Sequence, residues 1–102
     1  MASQVALESG HLKIHGEMGF DSALALLAQT RPLLSEGQGP LIIDLGEVGR
    51  VDSAGLALLI EWMRLARQAG RELSFTRLPA QMQAIAEASD LGEVLPLQTG
   101  PN

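Results

Sequence analysis

The chain has no cysteine. Disulfides, thiol catalysis and a cysteine-based zinc site are therefore excluded. Cations are scarce as well: 7 Lys+Arg stand against 12 Asp+Glu, a formal net charge of -5. Nucleic-acid binders draw affinity from clustered cations that release counterions. The cations here are mostly single, so nucleic acid is not an expected partner. The same scarcity excludes a polybasic membrane anchor. No apolar run approaches the ~20 residues of a spanning helix. Met1-Ala2-Ser3-Gln4-Val5 has neither the basic nor the apolar region of a signal peptide. The expected setting is cytoplasmic, with membrane association only through a partner.

What remains is a chain of 102 residues, 46% hydrophobic and 19% charged. That balance argues against disorder. The length fits one domain over residues 1–102, burying roughly 60–70% of its unfolded surface.

The central stretch is Leu41 to Ala57. Leu41-Ile42-Ile43-Asp44-Leu45 is too uniformly apolar for a surface strand and reads as one covered on both faces. Gly46 to Val51 reads as a tight loop ending in Asp52-Ser53-Ala54-Gly55. A helix from about Ala54 to Ala69 follows, closed by Gly70. Ser53 thus sits at a helix mouth, where free N–H groups and partial positive charge favour a hydroxyl or phosphate.

Around this stretch the pattern is regular. Val5–Leu7 and Leu12–Ile14 alternate in polarity and predict an antiparallel hairpin, the second strand ending at Gly16. Asp21 or Ser22 can cap a helix whose inner stripe is Ala23, Leu24, Leu27, Ala28 and Leu34. Pro32 predicts a kink or break near Thr30. Leu73–Thr76 is the next strand, so Leu41 to Thr76 reads strand, helix, strand, a parallel crossover. Pro79 opens a third helix with Met82, Ile85, Ala86 and Ala88 inward. Val94–Leu97 is expected as a short edge strand, and 98–102 as a loose tail. The fold class is α/β: a mixed sheet of four to five strands with about three packed helices.

Chemical readings of the polar residues are weak. Ser53 with His11 or His15 and an aspartate would need a nucleophile elbow. Val51-Asp52-Ser53-Ala54-Gly55 has Val where the first Gly belongs. Asp44 and Asp52 lack further metal ligands, and capping or loop bracing suits them better. The glycines form neither a dinucleotide fingerprint nor a phosphate loop. No catalysis, metal or cofactor is expected. The helix after Gly55 is apolar over more than half its circumference, with Ala57, Glu61, Arg64 and Gln68 as its polar side. Either another helix covers the surplus, or part of it near Leu58 and Trp62 meets a protein partner.

The run from Asp44 to Ala57 resembles the signature of the STAS domain, whose pattern is Asp-Leu/Phe-Ser, a spacer, then Ile/Met-Asp-Ser-Ser/Thr-Gly-Leu. Ile14-His15-Gly16-Glu17-Met18 resembles its earlier Leu-x-Gly-Glu-Leu-Asp element, and Leu73 to Leu91 fits its strand, proline and third helix. Gly46 and Ala54 depart from positions where the family often has Ser. Gly55 to Leu59 and Val94-Leu95-Pro96 are most similar to MlaB-type members. The resemblance implies a non-enzymatic subunit bound to an MlaF-like ATPase of a phospholipid-transport ABC system. The alternative is an anti-sigma factor antagonist switched by a kinase. Ser53 matches the position phosphorylated in such antagonists. The expected contact surface is centred on Ser53, with Asp52, Ala54, Gly55 and Leu56 around it and Leu58 and Trp62 beyond.

Overall fold

The computed structural model of the chain describes residues 3–97. The tail expected at 98–102 lies outside them. Strands β1 (Gln4–Glu8), β2 (His11–Met18), β3 (Leu41–Val51) and β4 (Leu73–Thr76) form one sheet in the order β1-β2-β3-β4. The first pair is antiparallel, and the other two pairs are parallel. Helices α1 (Ala23–Glu36), α2 (Ser53–Gln68) and α3 (Ala80–Ala88) complete the α/β fold. β3-α2-β4 is the parallel crossover read from the sequence. β2-α1-β3 is a second one, because β2 and β3 also run parallel.

Alternation sets the layers. Leu12, Ile14 and Met18 of β2 are fully buried while His11, His15 and Glu17 are exposed. Leu41, Ile43 and Leu45 of β3 and Phe75 of β4 join the same core. Leu59 and Trp62 of α2 and Met82 of α3 pack with them. Removing this apolar surface from water is the main force holding the layers together.

Several expectations need correction. The segment Gly46–Val51 is strand, not loop: β3 continues to Val51. It does so because β2 also runs past Gly16, pairing His15 with Glu47, Gly16 with Val48 and Met18 with Val51. Register shifts in β2 on either side of the His15–Gly16 stretch absorb the irregularity. α1 is unbroken through Pro32. Pro32 and Ala28, whose carbonyl loses its bond, both lie exposed, so the freed carbonyl is open to solvent. The buried residues of α1 are Leu26, Thr30 and Leu34. Leu24 is instead 81% exposed, and Ala28 and Ala88 also face solvent. Val94–Leu97 makes no strand; Phe75 N donates to Pro96 O at 2.9 Å, and one bridge joins Phe75 to Leu97.

Candidate functional site

The ends of β2 and β3 and the starts of α1 and α2 meet at one corner. Met18 pairs with Val51, and Asp52 N donates to Met18 O at 3.3 Å. Gly55 allows the close approach. A Cβ there would lie 2.4 Å from Met18 O, so any other residue would push α2 off the end of β2.

Asp52 caps α2. Its Oδ1 accepts from Ala54 N at 2.8 Å. Its Oδ2 accepts from Phe20 N at 3.0 Å, tying the loop before α1 to the mouth of α2. These N–H groups, Phe20 first, then Ala54 and Gly55, hold the Asp52 carboxyl below the usual carboxylate range. Since Asp52 does the capping, Ser53 is free of that task. It is the first helical residue, and it is exposed.

Beside Ser53, α1 and α2 leave an apolar groove of 220 Å³. Ala23, Leu24 and Leu27 form one wall, and Ala54, Ala57 and Leu58 the other. Glu61 closes one end, paired with Arg64 through Nε at 2.9 Å and Nη2 at 2.5 Å. On the other side of the corner is a polar cleft of 200 Å³ lined by Glu17, Asp21, Arg50 and Asp52. Phe20, 84% exposed, also lines it.

The sequence expectations divide here. Asp52, Ser53 and Ala54 come together at the surface. Gly55 and Leu56 are buried beneath them, Leu56 at 5% exposure. Leu58 lines the groove at 4% exposure. Trp62 is fully buried and donates its indole N–H to Thr30 Oγ1 at 2.6 Å. The apolar surplus of α2 is covered by α1, and Trp62 cannot belong to a contact surface. Pattern reading missed Phe20, and it turned Leu24 inward where the structure exposes it. Phe20 carried a signal: a large apolar side chain beside a glycine, just before a helix cap.

Asp44 is elsewhere. Its Oδ1 accepts from Gly46 N and Arg77 Nε, and its Oδ2 from Arg77 Nη2, each at 2.9 Å. It braces β3 against the turn after β4, as the bracing expectation had it. His11 and His15 stand on the solvent side of β2.

Over residues 1–98 the sequence matches the family described as MlaB, STAS domain. The chain belongs to the STAS domain family. The fold agrees. A chain of the Acinetobacter MlaFEDB complex in an ATP-bound conformation matches with a TM-score of 0.80 and 27% identity, over 93% of this chain and 99% of that one. An anti-sigma factor antagonist from Mycobacterium paratuberculosis matches with a TM-score of 0.76 and 20% identity, over 97% and 86%. Phosphorylated SpoIIAA, a Bacillus cell fate determinant, matches with a TM-score of 0.67 and 18% identity, over 96% and 92%. The last two share the STAS fold. No curated protein matches the sequence significantly. The signature positions of this STAS domain, Asp52 to Gly55, are the ones that build the corner.

Proposed function

We propose that this STAS domain is a non-catalytic cytoplasmic subunit that binds and supports the ATPase of an Mla-type phospholipid-transport ABC system, which maintains outer-membrane lipid asymmetry. The observation that carries the reading is the likeness to a chain of the MlaFEDB complex, at 27% identity and nearly full mutual coverage. The corner at the start of α2 supplies a docking surface. Asp52, Ser53 and Ala54 form its centre, and the groove between α1 and α2 its apolar part. The ATPase brings the subunit to the inner membrane. No helix among the described residues is long and apolar enough to cross it.

The test is affinity purification of the tagged chain from its native cells, with identification of bound proteins. Recovery of an ABC ATPase is expected. Recovery of a sigma-factor-regulating kinase alone would sink the proposal.

One observation favours a second reading. Ser53 is exposed and not used as the cap, so its hydroxyl suits an anti-sigma factor antagonist switched by phosphorylation. Stoichiometric ATP-dependent labelling of Ser53 by such a kinase would support that reading.

A further inference from the structure

Phe20 is the most exposed large apolar residue of the described chain, at 84%, yet its backbone is fixed. Gly19 O accepts from Ser22 N at 3.0 Å and from Ala23 N at 2.8 Å, and Gly19 N donates to Ser22 Oγ at 3.0 Å. Asp52 Oδ2 then takes Phe20 N from the far side. Gly19 leaves room for that contact, since a Cβ there would lie 2.7 Å from Asp52 Oδ2. An aromatic side chain is therefore held out into water on a rigid loop, at the lip of the docking corner. Aromatic residues are enriched in interfaces, and a pre-ordered backbone lowers the entropy lost on binding.

The surrounding charge states what it would meet. Glu17 and Asp21 share the polar cleft with Phe20, and among the described residues neither is in an ion pair; the two pairs found are Arg64–Glu61 and Arg77–Asp44. Both oxygens of Asp52 are taken up by backbone N–H groups, which leaves Glu17 and Asp21 against one arginine, Arg50. On the other side lies the apolar groove.

We propose that Phe20 is the aromatic anchor of the docking surface and that Asp52 is its positioning residue. The anchor receives a segment of the partner ATPase in which an aliphatic side chain is flanked by lysine or arginine. This rests on the reading of the preceding subsection. Asp52 acts through Phe20: it fixes the loop that carries the ring.

The test is titration of the full chain with the purified ATPase subunit, at two salt concentrations. Phe20→Ala should raise Kd about tenfold or more. Asp52→Asn retains an oxygen able to cap α2, as Asn does, but presents an amide donor to Phe20 N. It should weaken binding while cooperative melting is retained, at a midpoint lowered modestly by the lost loop contact. The double variant should bind no more weakly than Phe20→Ala alone. Asp21→Lys should weaken binding and flatten its salt dependence. If Asp52→Asn fails to fold, Gly19→Ala breaks the same contact from the loop side and should give the same loss. Wild-type binding by Phe20→Ala would overturn the anchor while leaving the ATPase reading intact. Losses that add in the double variant would overturn the positioning role, and an indifferent Asp21→Lys would overturn the basic partner segment. A wild-type chain that does not bind the ATPase would overturn the underlying reading as well.

Discussion

Arg77 grips Asp44 with two parallel hydrogen bonds, Nε to Oδ1 and Nη2 to Oδ2, each 2.9 Å long. The pair joins β3 to the turn after β4. The guanidinium occupies the space that a side chain at position 46 would fill: a Cβ on Gly46 would lie 2.3 Å from Arg77 Cζ. The departure at Gly46, where STAS domains often carry Ser, thus accompanies a bidentate brace.

That brace has a pH signature. The Arg77 hydrogen bonds, ahead of the Gly46 N–H, hold the Asp44 carboxyl below its ordinary value, against the opposing effect of burial. A carboxyl with a depressed folded-state pKa contributes stability above its unfolded pKa and loses it as pH falls through the folded value. Arg77→Ala should therefore lower the thermal midpoint at pH 7, and the gap to wild type should close below about pH 4. Melting curves across pH 2–7 check this; a gap that stays constant would contradict it.

Thr30 and Trp62 form a buried polar link between α1 and α2. Thr30 Oγ1 accepts from the indole and donates to Leu26 O at 2.8 Å. Thr30→Val keeps the shape and strands the indole N–H, at a cost of about 1–3 kcal/mol. Chemical denaturation should show that loss at an unchanged m-value. Equal stability would mean that the link contributes nothing.

Ser53→Glu and Leu56→Asp should part company. An acid in the first turn of α2 meets the positive end of the helix, worth about 0.3–1 kcal/mol, so Ser53→Glu should fold normally. It sets a longer, charged side chain beside the apolar groove, where docking must strip its water, and should reduce ATPase binding. Leu56 is buried, and an unpaired carboxylate there costs several kcal/mol of a total of about 5–15. Leu56→Asp should lose soluble yield and cooperative melting. The two variants, assayed by calorimetry and by pull-down, separate surface from core.

Gly55→Ala should also fail through packing. Its methyl would overlap Met18 O, and relief by shifting α2 costs about 1–3 kcal/mol. A midpoint equal to wild type would show that the corner yields more easily than its geometry implies.

Much of the fold was legible because its elements are short and strongly patterned. The hairpin, the central apolar strand, the Gly70 stop and the Leu73–Thr76 strand all follow from local chemistry. Two features were not. Gly46, Glu47, Gly49 and Arg50 suggest a loop on composition, but pairing with the extended β2 makes them strand; the partner strand decides. α1 carries leucine at 24, 26, 27, 33 and 34, so its apolar residues spread around the axis. Which of them face inward depends on where α2 lies. For the same reason Trp62 could be read as a contact residue while being the centre of the α1–α2 packing. At the corner, Asp52 and Ser53 were legible as a motif. Phe20 belongs to it only through a hydrogen bond spanning 32 positions.

The sequestered indole has a practical consequence. Trp62 is the chain's only tryptophan, so intrinsic emission comes from a single site, shielded from solvent within the α1–α2 packing. Its spectrum reports whether the two helices are assembled. Fluorescence can thus certify each surface variant as intact before its binding is interpreted, without a label or a second optical probe.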